Sequence, residues 1–187
     1  MKYIVGVIAV VIILFAAIFW IVTGNNDREP GQRGKPQIEL TEYADSNAKV
    51  TYQINGELVA KEEHRAVRIT VTRNQRTFEV LSGYDGDVIS SKTYPNTSAA
   101  FDTFVHGLDI AGFTREKKAK YDSESGVCPR GNTMVYTLTQ DNNELSRLWG
   151  SSCDKSDGPF GGNRREVSNL FERQIPDYQD LTDDVDL

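Results

Sequence analysis

The run YIVGVIAVVIILFAAIFWIV, residues 3–22, holds twenty residues without a charge. A helix of that length covers about 30 Å, the thickness of a bilayer's hydrocarbon core. Buried inside a chain of 187 residues, such a helix would need apolar partners on every side. A cleaved signal peptide has a shorter apolar region and a site of small residues. Here the run ends Phe19-Trp20-Ile21-Val22, Val22-Thr23-Gly24 is a poor cleavage site, and no Cys follows closely enough to take a lipid. The reading is an uncleaved transmembrane anchor over 1–23, a signal anchor with Tyr3 and Trp20 at the two interfaces and membrane lipid as its partner through residues 3–22. The expected localisation is a single-pass membrane protein.

Orientation is a contest between two signals. Lys2 alone precedes the run, whereas Arg28, Arg33 and Lys35 follow it, which favours the cytoplasmic side for what comes next. Cys128 and Cys153 favour export. They flank a hairpin pattern, residues 134–138 and 144–149 around a polar turn at 140–143, whose centre falls midway between them. Antiparallel pairing brings their sulfurs together beyond the open end, so a disulfide and an extracytoplasmic domain are expected. Two cysteines cannot make a tetrathiolate metal site.

Residues 24–36 are rich in glycine and polar groups and read as a flexible tether. Residues 37–175 read as the folded domain, and 176–187, with five aspartates and no basic residue, as an acidic tail. Without those five, 27 acidic residues fall to 22 against 21 basic ones, so the net charge of -6 is largely a property of the tail. The tail is expected to be a frayed, solubilising end, with capture of a basic partner or a divalent ion as the sharper reading.

The domain pattern is mixed. Residues 37–42 suggest an edge strand, and 50–54 a strand followed by Asn55-Gly56, a hairpin turn signal. Residues 67–71, 76–81 and 87–92 read as a meander, with Val67, Ile69 and Val71 on one face and Arg68, Thr70 and Thr72 on the other. Such alternation describes a sheet covered on one side. The cover is a helix over 98–111, capped by Asn96 or Thr97, carrying Phe101, Phe104, Val105 and Leu108, and stopped at Gly112, with Gly107 weakening its interior. A second helix starts at Asn163, with Glu166 at its third position. The fold class is therefore α+β: an N-terminal transmembrane helix, then a small domain with a mainly antiparallel sheet and about two helices on one face.

Catalytic chemistry is sparsely supplied. There are two histidines. His64, in Lys61-Glu62-Glu63-His64-Arg65, reads as an exposed linker residue and His106 as a helix flank; neither belongs to an HExxH motif. Gly150-Ser151-Ser152-Cys153 reads as a turn, and Asp85-Gly86-Asp87 lacks the ligands of a twelve-residue calcium loop. The glycine-dense 157–163 approaches the second helix and could present amides to an anion, but it is neither a P-loop nor a GxGxxG sequence. Asn96-Thr97-Ser98 is a sequon whose role as a helix cap is enough to explain it.

The basic cluster Arg115, Lys117, Lys118 and Lys120, joined by Arg130, Arg164 and Arg165 if the fold gathers them, is the candidate anion-binding set. No specific nucleic acid is expected from an acidic chain, and no metal or cofactor. The leading functional reading is a membrane-anchored extracytoplasmic domain that binds a protein or envelope polymer without intrinsic catalysis. The alternatives are a membrane-anchored hydrolase or thiol enzyme, favoured if His64, an acid and a Ser or Cys meet in a cleft, and an inert structural spacer or assembly subunit. Contiguous exposure of Tyr84, Tyr94 or Phe160 would favour binding.

Overall fold

Ala48–Asn55 alternates Ala48, Val50, Tyr52 and Ile54 with Lys49, Thr51, Gln53 and Asn55, and this period of two decides the architecture. In the computed structural model, which describes residues 38–187, this segment is β1, an inner strand of a six-stranded sheet. It pairs antiparallel with β2 (Arg65–Val71) on one edge and with β5 (Thr133–Gln140) on the other. β3 (Gln75–Ser82), β4 (Asp87–Pro95) and β6 (Asn143–Ser151) extend it to the order β4-β3-β2-β1-β5-β6. Every pairing is antiparallel.

The apolar face is covered by helices. α1 (Ser98–Ala111) begins where Thr97 accepts a hydrogen bond from the Ala100 N–H. It ends where Gly112 adopts φ 77° and ψ 41°, the left-handed region that glycine enters without a Cβ clash. This turn lets the Phe113 N–H reach the Leu108 carbonyl at 3.0 Å and drops Phe113 into the core. α2 (Arg164–Glu172) is capped by Asn163, which accepts from the Glu166 N–H, and buries Val167 and Phe171. α1 and α2 approach at Gly107, where an added Cβ would lie 3.3 Å from Leu170, so this glycine serves helix packing. α3 (Tyr178–Thr182) closes the layer.

Aromatic rings fill the space between. Tyr52 stacks on Tyr136 at 5.6 Å, Tyr136 on Phe160 at 3.8 Å, and Phe171 meets Phe104 edge-on at 5.1 Å. Each large side chain so buried contributes roughly 1.5–3 kcal/mol through area removed from water.

The membrane part of the sequence reading is corrected. Among the described residues no helix is long and apolar enough to cross a membrane. The longest, α1, has 14 residues, about 21 Å against the ~30 Å of a bilayer core, and it carries Asp102, His106 and Asp109. The signal anchor, its lipid contact through residues 3–22 and the single-pass extracytoplasmic localisation all rest on a segment outside the described residues, as does the tether at 24–36. The fold is stated without them, as an antiparallel α+β domain. The function built on that anchor, presentation of a domain at a membrane to a protein or envelope polymer, loses its support with it.

Three local expectations also change. Leu40–Tyr43 is a 3₁₀ turn instead of an edge strand. β1 already has partners on both edges, so this short segment docks beside α1, with Leu40 fully buried and its N–H on the Asp109 carboxylate at 3.3 Å. Asn55-Gly56 does not close a tight hairpin: the chain loops out and returns at Arg65, whose carbonyl accepts from the Gly56 N–H at 3.0 Å. A Cβ on Gly56 would lie 3.0 Å from the Leu187 backbone, so close approach explains that glycine. The acidic end is also ordered by its apolar residues: Tyr178, Leu181, Val185 and Leu187 pack against the core while its aspartates face solvent.

The Tyr136 hydroxyl is buried without a hydrogen-bond partner among the described residues. Burial raises its pKa, so it stays protonated. An orphaned buried hydroxyl costs about 1–3 kcal/mol. Tyr136→Phe should therefore leave stability unchanged or raise it by about 1 kcal/mol in urea unfolding, whereas loss of stability would show that the hydroxyl has a partner.

Candidate functional site

The polar positions of β1 face away from the helices. Thr51, Gln53 and Asn55 stand opposite Thr137, Val135 and Thr133 of β5 in register, which makes three rows across two inner strands. Ala66 of β2 and Leu81 of β3, opposite each other, continue the surface. These residues floor a cleft of about 460 Å³, within the size range of small-ligand sites.

The floor side chains are linked. The Gln53 amide donates to Asn55 Oδ1 at 2.7 Å, and the Asn55 amide donates to the Thr133 hydroxyl at 3.1 Å. The Thr51 and Thr70 hydroxyls meet at 3.4 Å. Backbone groups along the floor are already used in the β1–β2 and β1–β5 ladders, so a ligand here is read by side chains.

One wall is the segment from Glu124 to Cys128, with Gly131. Cys128 and Cys153 are joined, with their Cα atoms 5.6 Å apart, which fixes this loop to the chain leaving β6. A Cβ on Gly131 would sit 2.6 Å from the Ser152 hydroxyl and 2.8 Å from Cys128 Sγ, so the turn inside the bridge is tightly filled. The Glu124 carboxylate accepts from both terminal nitrogens of Arg147 on β6. That hydrogen bond holds the Glu124 pKa below its ordinary value and raises that of Arg147, against partial burial.

The other wall corrects the reading of His64. It is 5% exposed instead of lying in an open linker. The loop before β2 folds over the sheet end, with the His64 N–H on the Ala60 carbonyl and the Gly83 N–H on the His64 carbonyl. The ring lies 4.1 Å from that of Tyr84, and its Nδ1 lies 3.3 Å from the Gly83 carbonyl, so the tautomer with hydrogen on Nδ1 donates there. The Tyr84 hydroxyl accepts from the Val59 N–H at 3.1 Å and donates to its carbonyl at 2.7 Å, pinning the ring at the cleft edge. Leu58 completes this side.

The aromatics named from sequence part company. Phe160 is buried in the core, Tyr94 is half-buried with its hydroxyl on the Pro176 carbonyl at 3.2 Å, and Tyr84 alone lines the cleft. In the glycine-dense loop the Phe160, Gly161 and Asn163 amides are engaged, donating to the Trp149, Arg115 and Ala111 carbonyls.

The candidate basic set is dispersed in role. Lys117 donates to the Lys155 carbonyl, and burial followed by repulsion from Arg164 lowers its pKa. Arg164 donates to the Ser151 carbonyl. Lys120 lies over the Tyr121 ring at 4.9 Å, and the Arg115 guanidinium packs over Gly112. Lys118 and Arg165 are exposed, and Arg130 is exposed in the turn between Cys128 and Gly131. His106 pairs with Asp102 at 3.7 Å on the outside of α1.

Hydrolase and thiol chemistry find no assembled centre among the described residues. Both cysteines are consumed in the disulfide. Ser151 is buried and donates to Asp157 at 2.5 Å, away from either imidazole in the hydrogen-bond network. No group of three or more His, Cys, Asp or Glu side chains among the described residues is placed to hold a metal ion. No protein-family model matches the chain, and no curated protein matches it closely enough to count as a relative.

Sequence reasoning missed the cleft because it took the polar side of the sheet as plain solvent-facing surface. The available signal was the Thr51, Gln53, Asn55 alternation followed by Thr133 and Thr137 in a second strand.

Two outcomes follow for the Glu124 wall. Removing the bridge with a Cys128→Ser, Cys153→Ser variant should cost roughly 3 kcal/mol in denaturant unfolding; an unchanged midpoint would mean that the bridge constrains nothing. Glu124 has a depressed folded pKa, so its contribution is present above the ordinary value of 4.5 and is lost as pH falls through the lower folded value. The pair is partly exposed, which limits it to about 1 kcal/mol or less. The stability advantage of the parent over Glu124→Gln should be visible at pH 6 and shrink as the pH is taken progressively below 4.5.

Proposed function

We propose that this chain is a binding domain that takes a small ligand non-covalently into the cleft on the open face of its sheet. The observation that carries the reading is a polar floor built on two inner strands between two walls that are each fixed independently. The disulfide holds one wall and the paired Tyr84–Val59 hydrogen bonds hold the other. A site fixed before the ligand arrives loses less ordering entropy on binding.

The geometry supports binding over turnover. His64 precedes β2, whereas Arg147 lies on β6, three ladder spacings away in the order β2-β1-β5-β6. At ~4.8 Å per spacing this is roughly 14 Å between backbones. Glu124, the carboxylate lining the cleft, is engaged by Arg147, and the His64 ring is held by Gly83 and Tyr84. A general base needs a proton within hydrogen-bond reach and a partner that takes up the complementary role. Hydrogen-bonding groups held in place, with neutral side chains predominating, suit recognition.

The test is a ligand-observed magnetic resonance screen of the full chain against a mixed set of neutral sugars, nucleosides, amino acids and blocked tripeptides. Thr137→Trp fills the cleft from its floor and serves as the control. At least one class should bind the parent and lose most of its saturation transfer with Thr137→Trp, while the thermal midpoint stays within a few degrees. Binding of every hit equally by both proteins would place the ligand elsewhere and remove this reading.

A further inference from the structure

Which ligand class the cleft accepts follows from its charges, its hydrogen-bond inventory and its aromatic edge, taking the binding reading above as given. Among the lining residues Glu124 is the carboxylate and Arg147 the guanidinium, and they neutralise each other. On the same face Arg68 and Glu79 are likewise paired at 2.8 Å, while Lys49 and Glu144, at the far end of the β1–β5–β6 rows, lie outside the cleft lining. A charged ligand entering this cleft would leave water while the charges that line it, Glu124 and Arg147, are already paired with each other, which is costly. An uncharged ligand meets no such cost.

The floor then decides among uncharged ligands. Its polar side chains are hydroxyls and carboxamides: Thr51, Gln53, Asn55, Thr133 and Thr137. They offer donors and acceptors in a mixed array, and the Gln53–Asn55–Thr133 relay leaves capacity at both ends. Thr133 accepts from Asn55 and keeps its own O–H to give; Gln53 donates one N–H and keeps its carbonyl oxygen. Such an array matches ligands whose own groups both donate and accept at close spacing, as neighbouring alcohols do. A peptide that binds by strand addition needs an edge with free backbone groups, and the inner strands here have none to spare.

The walls supply the remaining part. Tyr84 is half-exposed at the cleft edge with its ring braced against His64, and Ala66, Leu81 and Val135 give apolar contact beside the polar floor. A pyranose ring has this same division, with hydroxyls around its rim and a C–H face that packs on an aromatic ring. We infer that the open-face cleft binds a neutral saccharide of one to three units, with Gln53, Asn55 and Thr133 reading its hydroxyls and Tyr84 packing against its ring.

The test uses isotope-labelled full chain and three neutral probes, maltotriose, cellotriose and N,N′-diacetylchitobiose. Glucuronic acid, glucosamine and end-blocked trialanine are the comparison probes. The side-chain amides of Gln53 and Asn55 and the ring of Tyr84 are followed by chemical shift. At least one neutral saccharide should shift all three together with a single saturable affinity. Gln53→Leu, which keeps side-chain volume, and Tyr84→Ala should each weaken that binding about five- to tenfold, with the dispersed spectrum of the folded parent retained.

Saturation of the same resonances by a charged sugar or by the blocked peptide, without a neutral saccharide doing so, would overturn the ligand class and leave the cleft as the binding site. Failure of every probe here, together with failure of the mixed screen, would remove both readings. Saccharide binding that shifts other resonances and leaves these three in place would overturn the inference.

Discussion

β1 is hydrogen-bonded along both edges, and its two faces have opposite chemistry. Once it is paired between β2 and β5, its alternation fixes where everything else goes. Val50 and Tyr52 point into the layer that receives α1 and α2, while Thr51, Gln53 and Asn55 point to the side without helices. A one-residue slip in the β1–β5 ladder would turn Tyr136 outward and bring Thr137 into the aromatic core. The aromatic stack on one side and the polar cleft on the other are thus two consequences of one register.

The loops complete what the register begins. α1 ends at a glycine in the left-handed region, and the chain then runs along the 157–163 loop, with backbone bonds from Lys117 to the Pro159 carbonyl and from Tyr121 to the Asp157 carbonyl. That path delivers residues 124–128 to the open face, where the disulfide and the Glu124–Arg147 pair secure them. The loop before β2 does the same from the far side, through a buried imidazole, a tyrosine ring, backbone amides, the Lys61–Asp85 pair and the Arg65 guanidinium on the Glu62 and His64 carbonyls. The cleft therefore depends on segments that carry no regular secondary structure and are nevertheless tightly held.

The parts legible in the sequence are those governed by short-range rules. The meander read over 67–92, which the structure extends to Arg65–Pro95, the cap read at Asn96 or Thr97 and found at Thr97, the stop at Gly112 and the cap at Asn163 all follow from short-range patterns. His64 was not legible because its burial depends on Tyr84, twenty positions on, and a charged neighbourhood masked it. Gly56 looked like a turn residue, but its surroundings include the last residue of the chain. The aspartate-rich end looked like a solvated tail because its charges outnumber its apolar residues, yet Leu181, Val185 and Leu187 find the core. The polar face of the sheet was visible as alternation; that two remote loops would wall it into a cleft was not, since that is a property of long-range closure.

The central claim is that this polar face is open to small solutes while the opposite face is packed. Paramagnetic relaxation by a small neutral nitroxide dissolved with the full chain measures this directly. The account predicts strong broadening of the Gln53 side-chain amide and the Thr137 methyl, with the Tyr52 and Tyr136 ring signals on the packed face left sharp. Protection of Gln53 and Thr137 to the level of Tyr136 would show that the face is covered, and would contradict the account.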